Sequence, residues 1–587
     1  VMCHSNSGGS DGNGTLWDIL TPDASGSYIN GTWTTSAPMI DTRLFFSSQV
    51  LKDGRVYVAG GEYGSGLQKA EVYDPVANTW TAAPALGVNV SDANSEILED
   101  GRVLQALVTG NLRPTTIYNP ATNTFTAGPS SLGIHNESAW IKLPDNSVLF
   151  VDRLSTASER YIPATNTWVA DATVPVNLYD SFGDETGAAV LLPDGRAFFL
   201  ASQGASAIYT PSGNSSPGTW TAGPTLPNST GAPDAPMAMM VNGKVLCAVS
   251  PAPTSSATLF IPPTYFYEYD YISNTFTQIH APGGGMSLNI ACYQTNFLCL
   301  PDGSVMYAQN QSAASSSYYI YTPSGAPLAA GKPTISSITQ TSCTSYQIAG
   351  TQFNGISQGA NYGDDWQMST NYPVIRLTNG GNTYYCRTFN WNSTGVRRGN
   401  QPDNVSFTLP AGLPIATYSL VVTANGIASD PISFTPVPYL TSSQSPSAVC
   451  SNTAFAYTPA IAPAGATFSW TRAAVAGISN AAVTTAQKSA PNETLINTTG
   501  SPVTVVYAFT LTSNGCSNTQ NVSVVVNPAP NPVITGNSPI CISAITLNAG
   551  TFSSYNWSNG ATTQTTSVNT AGTVSVTVTG SNGCSAS

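Results

Sequence analysis

A turn dipeptide recurs six times in the first half of this chain, and its regular spacing limits the fold more than any other feature. The apolar runs before and after each dipeptide have the length of short strands. Asp-Gly and Asn-Gly favour the positive φ angles of a two-residue hairpin turn. Hairpins are therefore predicted at intervals of 45 to 60 residues, at Asp53-Gly54, Asp100-Gly101, Asp145-Asn146, Asp194-Gly195, Asn242-Gly243 and Asp302-Gly303.

A second signature lies between successive hairpins and predicts two more strands in each unit. It reads Tyr-x-Pro-x-x-Asn-Thr-aromatic, strictly at 73–80, 118–125 and 161–168 and more loosely at 209–220 and 269–276. Four strands per repeat of about 45–50 residues is the pattern of a kelch-type β-propeller.

The number of units follows from the same signature. Residues 1–39 carry its aromatic ending at Trp33 and are the remainder of one further unit, so we predict a seven-bladed propeller. The first blade lacks its first strand and the last blade lacks its fourth. We expect residues upstream of Val1 to close the ring.

Composition indicates an all-β chain and argues against several classes of function. Charged residues make up 8% of the 587, so strong helix formers are scarce, while Ser, Thr, Asn, Gly and β-branched residues dominate. With 18 Lys and Arg and a net charge of -12, the chain lacks the cations that a nucleic-acid partner requires. No apolar run is long enough to span a membrane.

The repeat stops near residue 332, and short alternating strands follow it. We predict a propeller over 1–332, an immunoglobulin-like β-sandwich over 333–437, and two smaller sandwiches over 438–530 and 531–587. The last sandwich stops near its final strand and is taken as truncated.

The cysteines favour disulfides in an oxidising compartment. The chain has ten of them and no Cys-x-x-Cys spacing, which argues against a zinc site. Two small units share a Ser-Asn-Gly-Cys ending and an earlier cysteine, which suggests one bond in each. The predicted pairs are Cys450–Cys516, Cys541–Cys584 and Cys343–Cys386.

One blade carries a specific family resemblance. Residues 43–56, which read Arg-Leu-Phe-Phe-Ser-Ser-Gln-Val-Leu-Lys-Asp-Gly-Arg-Val, and the Gly60-Gly61 pair after them resemble the galactose oxidase-like kelch family. The resemblance covers about residues 1–437 and implies a kelch propeller followed by the family's C-terminal sandwich. Members of this family hold one copper ion through two tyrosines and two histidines, and one tyrosine is cross-linked to a cysteine.

This chain departs from the family at the copper ligands. Phe45 stands at the position of the cross-linked tyrosine, under a ring that corresponds to Tyr63. Gln294 follows Tyr293 where the family has a Tyr-His pair, and Gln367 stands where the family has its second histidine. Because phenylalanine cannot ligate and an amide is a poor Cu(II) ligand beside imidazole, we expect no copper and no catalytic residue.

The same counting defines a mouth, the end of the ring where the innermost strand of each blade begins. Eight residues before each turn stand Phe45, Asp92, Glu137, Thr186, Asp234 and Gln294. Acidic residues number only 30 in this chain, so their concentration here is notable, and the resemblance brings a sandwich loop to the same channel. The predicted ligand-binding mouth comprises Asp92, Glu137, Glu185, Asp234, Tyr293, Gln294, Asp364, Asp365, Trp366 and Gln367.

Two kinds of ligand suit such a mouth, and a structural role is the alternative to both. Carboxylates can bind Ca²⁺ through hard oxygens at Asp92, Glu137 and Asp234. They can also accept the hydroxyls of a sugar that lies on an aromatic ring. Alternatively, these acids bond backbone N–H groups at loop ends, as Asp often does. The only histidines, of which His135 falls near the mouth, are taken as structural or surface residues: His4, His135 and His280.

The tail modules suggest where the chain acts. They resemble the PKD- and Ig-like modules of surface proteins that Bacteroidetes secrete through the type IX system. The resemblance implies a secreted or cell-surface protein that binds a glycan or an extracellular protein partner, exported through a C-terminal signal outside this fragment. The alternatives are a carboxylate-dependent enzyme acting on polysaccharides and a structural subunit of an extracellular assembly.

Overall fold

The computed structural model describes residues 2–5, 14–92, 94–108, 113–309, 318–357, 359–361, 370–536 and 543–587. Across these ranges the regular structure consists of β-strands and four short 3₁₀ turns, at Pro227–Ser229, Ser256–Thr258, Cys292–Gln294 and Ala329–Gly331. They contain no helix long and apolar enough to cross a membrane. The chain divides into two compact units, Val1–Thr339 with Thr344–Phe434, and Gln340–Cys343 with Thr435–Ser587.

Seven antiparallel sheets, each made of consecutive strands, follow one another in the first unit. The first three are sheet 1, with β1 (Met2–Ser5), β2 (Leu16–Thr21) and β3 (Thr32–Thr35); sheet 2, with β4 (Ser47–Val50), β5 (Val56–Ala59), β6 (Ala70–Asp74) and β7 (Thr79–Ala82); and sheet 3, with β8 (Ser95–Ile97), β9 (Val103–Ala106), β10 (Thr115–Asn119) and β11 (Thr124–Ala127).

The next four sheets complete the series. They are sheet 4, with β12 (Trp140–Lys142), β13 (Val148–Val151), β14 (Ser158–Ile162) and β15 (Thr167–Ala170); sheet 5, with β16 (Ala189–Leu191), β17 (Ala197–Leu200), β18 (Ser206–Thr210) and β19 (Thr219–Ala222); sheet 6, with β20 (Thr230–Gly231), β21 (Met237–Met239), β22 (Val245–Pro251), β23 (Tyr265–Asp270) and β24 (Thr275–Ile279); and sheet 7, with β25 (Thr295–Cys299), β26 (Val305–Gln309) and β27 (Tyr319–Tyr321).

These sheets are arranged as a propeller. The strands β4, β8, β12, β16, β21 and β25 lie next to one another in that order, so they form its centre. Sheet 1 packs on sheet 7 through Leu20 and Met306, and the Tyr318 hydroxyl donates to the Tyr28 carbonyl at 2.7 Å. The all-β class and the order of propeller before sandwiches are confirmed. The count of seven blades stays a prediction, because sheets 1 and 7 hold three strands each among the described residues.

The predicted hairpins lie where the dipeptides stand, but their geometry differs from the expected two-residue turn. In sheet 2 the Gly54 N–H donates to the Leu51 carbonyl, and the Leu51 N–H donates to the Arg55 carbonyl. The glycine alone has a positive φ, 79°, and the Asp53 carboxylate accepts the Arg55 N–H at 3.1 Å. This is the three-residue loop in which a turn is followed by one left-handed residue. The turn aspartate therefore holds its own loop.

The second signature is explained by a tyrosine that bonds a left-handed asparagine. The Tyr118 hydroxyl donates to Asn123 Oδ1 at 2.9 Å, and Asn123 has a φ of 52°. The same bond joins Tyr73 to Asn78 at 2.9 Å. The ring that ends the signature packs on that tyrosine, as Phe125 does on Tyr118 with centroids 5.1 Å apart. Asparagine is favoured here because it tolerates the left-handed region.

Substitution of Asn123 tests this role. We expect Asn123→Ala to lower the free energy of unfolding by about 2 kcal/mol, since it loses a hydrogen bond and puts alanine, which tolerates the left-handed region less well than asparagine, at a positive φ. Asn123→Gly loses only the bond and is expected to cost about 1 kcal/mol. Urea unfolding measures both. Equal losses for the two variants would show that the backbone conformation contributes nothing.

A sandwich completes the first unit and contacts the propeller on its turn side and at its centre. On the turn side, the Arg387 Nη2 donates to the Asp53 carbonyl and the Arg397 Nη1 to the Asp194 carbonyl, each at 2.7 Å. Its strand β30 pairs with β16 at the propeller centre. The strands are β28 (Thr334–Gln340), β29 (Ser345–Thr351), β30 (Ala360–Asn361), β31 (Val374–Asn379), β32 (Asn382–Phe389), β33 (Pro402–Thr408), β34 (Tyr418–Ala424), β35 (Ile427–Ala428) and β36 (Ile432–Phe434).

The second unit is built around the long hairpin of β44 and β45. Its larger sheet has the order β38-β45-β44-β41-β42 and buries Trp470, Tyr507 and Val524. A smaller core around Trp557 and Val578 follows. The strands are β37 (Tyr439–Leu440), β38 (Val449–Cys450), β39 (Thr453–Ala456), β40 (Ile461–Ala462), β41 (Thr467–Arg472), β42 (Val483–Gln487), β43 (Asn492–Leu495), β44 (Val503–Ser513), β45 (Cys516–Asn527), β46 (Ile545–Asn548), β47 (Ser554–Trp557), β48 (Thr565–Val568), β49 (Val576–Thr579) and β50 (Ser585–Ala586).

The cysteines form disulfides, but the predicted pairing is wrong. The bonds are Cys343–Cys516 and Cys450–Cys584. Cys450 does not meet Cys516 because β38 runs parallel to β45, which places Cys450 opposite Asn527, at the other end of β45 from Cys516.

The other two predicted pairs fail for related reasons. Cys584 is bonded to Cys450, so it cannot pair with Cys541, which itself lies outside the described residues. Cys386 faces Ile375 inside the sandwich core and is unbonded. Buried and unbonded cysteines are Cys247, Cys292, Cys299 and Cys386.

Candidate functional site

The mouth positions adopt an unusual backbone conformation that recurs from blade to blade. Phe45, Asp92, Glu137 and Asp234 have φ angles of 53°, 48°, 60° and 51°. Positive φ is uncommon outside glycine. Each of these residues stands two or three positions before the first residue of an innermost strand. The register counted from the turns therefore corresponds to one repeated loop conformation.

Carboxylates from three neighbouring loops converge at the mouth. Oxygens of Glu137, Glu185 and Asp234 all lie within 4.8 Å of one another, and the three side chains are partly buried. These residues precede β12, β16 and β21, so three successive blades each supply one acid.

Asp92 belongs to the same group. Burial raises its pKa to about 9, helped by the negative charges of Glu137, Glu62 and Glu185 and by a hydrogen bond with Glu137. At neutral pH Asp92 is therefore a neutral acid beside carboxylates. The structure thus brings together four of the predicted acids and adds Glu62, whose own pKa burial raises.

Glu185 is positioned by a buried aspartate that the sequence analysis missed. One Asp180 oxygen accepts the N–H groups of Phe182 and Gly183 at 2.6 and 2.7 Å. Its other oxygen accepts the Glu185 N–H at 3.2 Å and the Ser202 hydroxyl at 2.8 Å. Asp180 is completely buried, so it organises the loop from inside and does not face a ligand.

Thr186, which holds the counted position in this blade, joins the neighbouring loops. Its hydroxyl donates to the Glu137 carbonyl, and its carbonyl accepts the Asp234 N–H at 3.1 Å. The three loops that carry Glu137, Glu185 and Asp234 are thereby joined by hydrogen bonds.

Aromatic rings border the acids. Tyr293 lies 4.7 Å from Phe260 between ring centroids, and burial together with the charge of Asp234 raises the Tyr293 pKa. On another side Tyr63, which is 44% exposed, meets Phe45 edge-on at 6.2 Å. Phe260 was missed because it lies outside the repeat, although the 60-residue spacing of that unit signalled an insertion.

The described residues do not fit the copper site that the family resemblance implies. Phe45 offers no ligand atom. Gln294 ends the 3₁₀ turn Cys292–Gln294, and its Oε1 accepts the Ala291 N–H at 3.3 Å. Of the described positions that correspond to ligands, only the Tyr293 phenol has a suitable donor.

The other residues that the sequence singled out are either structural or lie outside the described residues. His135 is buried against Trp140, Phe150 and Trp168, its Nε2 lies 2.6 Å from the Ser131 hydroxyl, and burial lowers its pKa to about 3. It is therefore a core histidine. The last four predicted residues lie outside the described residues: Asp364, Asp365, Trp366 and Gln367.

Comparison with known proteins agrees with this architecture. Residues 50–87 match the kelch motif and residues 447–530 match the PKD-like domain. The chain thus carries a kelch-repeat β-propeller followed by a PKD-like domain. The resemblance to galactose oxidase-like kelch proteins agrees with the relatives that the chain matches.

Similar proteins are found among curated relatives and solved structures. The kelch-like protein terF of Aspergillus terreus is 32% identical over 80 residues, which is 12% of this chain and 17% of that protein. Galactose oxidase of Gibberella zeae is 33% identical over 85 residues, which is 14% of this chain and 12% of that protein. The chain thus aligns with less than a fifth of either relative. A copper-bound fungal alcohol oxidase of the AA5 family has a TM-score of 0.41 at 12% identity, covering 74% of this chain and 98% of its own.

Proposed function

We propose that the propeller mouth binds a polyhydroxylated ligand, a glycan, and that it does so without copper chemistry. The observation that carries the proposal is the convergence of Glu137, Glu185 and Asp234 within 4.8 Å, next to the ring pair of Tyr293 and Phe260. Carboxylates form strong charge-assisted hydrogen bonds with hydroxyl donors. Aromatic rings supply the apolar surface on which the CH face of a sugar lies. A few polar groups beside aromatic rings are typical of small-molecule sites.

Two further points support a binding role. The Gibberella relative is named for oxidation of galactose, which favours a sugar as the polyhydroxylated ligand. In this chain Phe45 and Gln294 occupy positions implied for copper ligands, and neither suits Cu(II). We therefore propose that the propeller retains sugar recognition and has lost the oxidase reaction.

Removal of charge at the mouth tests the proposal. The chain is screened on a glycan array, and the strongest ligand is titrated by calorimetry. We expect Glu137→Gln with Asp234→Asn to weaken binding at least tenfold, because two charge-assisted bonds become neutral ones at a cost of about 1 kcal/mol each. Asp194→Asn, at a hairpin turn at the other end of β16, is the matched control. Equal weakening by both changes, or a full array without a ligand, would refute the proposal.

A calcium ion is the second candidate occupant. The sequence predicts it at Asp92, Glu137 and Asp234, and the mutual approach of the Glu137, Glu185 and Asp234 oxygens favours that trio as the ligand set. We expect Ca²⁺ to raise the melting temperature of the wild-type chain and to leave that of Glu185→Gln less changed. A melting temperature that does not respond to millimolar Ca²⁺ at pH 8 would exclude the ion.

The same experiments distinguish binding from hydrolysis. A neutral acid, Asp92, beside a second carboxyl group is an arrangement that glycosidases use. Release of reducing ends from the bound glycan, abolished by Asp92→Asn, would replace the binding proposal with a catalytic one.

We further propose an extracellular location, since two disulfides persist in oxidising compartments.

A further inference from the structure

The two disulfides of the second unit lie at opposite ends of one extended strand. β45 begins at Cys516, which is bonded to Cys343. β45 ends at Asn527, beside Cys450, which is bonded to Cys584. The strand has 12 residues, so at about 3.4 Å per residue the two bonds stand roughly 40 Å apart along it.

We propose that the two disulfides and β45 form one continuous line of tension through this unit. Tension applied at Cys343 passes through the first bond into the start of β45. A strand is already close to the maximum length of its backbone, about 3.3–3.6 Å per residue, so it transmits tension with little extension. This role concerns the mechanics of the chain and is independent of any ligand at the mouth.

The far end of β45 passes the tension to the second disulfide. β38 runs parallel to β45, with Val449 paired to Val526 and Cys450 to Asn527. The Ser451 N–H also donates to the Asn527 carbonyl at 2.8 Å. When β45 and Cys450 are pulled in opposite directions, these bonds are loaded in shear and must break together. The residues between Asn527 and Cys584 are therefore relieved of tension while the junction holds.

The first disulfide also removes a long segment from the line. Cys343 and Cys516 are separated by 173 residues in sequence, and the chain between them lies in a closed loop. While the bond is intact, tension therefore does not run along the chain from 344 to 515, of which only β38 and Cys450 belong to the line, through their contact with the end of β45. Residues 344–515 include the sandwich strands from β29 onward and most of the PKD-like domain.

Single-molecule stretching of the full chain, held by peptide-tag handles at both ends, tests the first bond. The fully extended chain in reductant is expected to be roughly 60 nm longer than the same chain without reductant, because 173 residues re-enter the line. Replacing all four bonded cysteines by serine should reproduce the longer length, because the Cys450–Cys584 bond alone would still close a loop of 134 residues of separation. Cys386→Ser, which alters an unbonded cysteine inside the loop, is the matched control and should not. Equal lengths with and without reductant would overturn the proposal whether or not the variants fold.

The order of unfolding tests the second bond. In Cys450→Ser with Cys584→Ser, the final module is expected to open first, as an early step of about 20 nm from residues 528–583. In the wild type this step should appear only after the PKD-like domain opens. An early step of that size in the wild type would show that the tension bypasses Cys450, and the proposed line would be wrong.

Discussion

Lys142→Met is expected to destabilise the propeller by about 3–5 kcal/mol, because it leaves a buried carboxylate between two blades without its cation. Lys142 Nζ lies 2.9 Å from Glu96 Oε1 and donates to the Ile97 carbonyl at 2.8 Å. Both charged side chains are almost completely buried between sheets 3 and 4. Methionine removes the cation and the donor, while Glu96 stays in a site closed to water.

The companion variants separate the lost charge from lost packing. Lys142→Met with Glu96→Gln is expected to regain part of the stability, since no unpaired charge remains. Lys332→Met is the matched control: Lys332 pairs with Asp430 and both side chains are exposed, so its loss costs about 0–1 kcal/mol. Urea unfolding compares the three chains. If the double variant were as unstable as Lys142→Met, the destabilisation would come from lost packing and not from the unpaired charge of Glu96.

The parts of the site that repeat along the chain were predictable, because a repeat converts sequence position into spatial position. Counting eight residues back from each turn selected Asp92, Glu137 and Asp234, and these acids lie in one group. Innermost strands are short and nearly equal in length, so the count reached the same point in each blade. The sequence therefore predicted the position of these residues in each blade, but it did not predict the conformation of their loops.

The parts outside the repeat were not predictable in this way. Phe260 lies in an insertion of one blade, and Asp180 acts through bonds to backbone groups that spacing does not reveal. The prediction of the disulfide pairs was wrong for a related reason. Spacing suggested that Cys450 and Cys516 close one module, but the parallel crossing of β38 beside β45 separates them and leaves Cys584 to meet Cys450. Pairing depended on a long-range strand order.

The acidic mouth should make the propeller less stable as pH rises, and Asp92→Asn should reduce that dependence. Burial and neighbouring carboxylates raise the Asp92 pKa from 3.8 to about 9 in the folded chain. Between these values the folded state keeps a proton that the unfolded state has released. The contribution of Asp92 to stability is therefore full below pH 3.8 and is lost as pH rises towards 9, by at most about 1.4 kcal/mol per pH unit.

The measurement belongs between pH 7 and 9. His135, whose pKa burial lowers to about 3, affects stability only below its ordinary pKa of 6.5, where it acts in the opposite direction.

An amide at position 92 would keep the shape of the side chain without the charge. We therefore expect Asp92→Asn to unfold at higher urea than the wild type at pH 8 and to show a shallower pH slope. Asp194→Asn, at a hairpin turn away from the mouth, should keep the wild-type slope. A wild-type stability that is constant or rises from pH 7 to 9 would mean that Asp92 is ionised in the folded chain, and that the mouth carries one more negative charge than the geometry indicates.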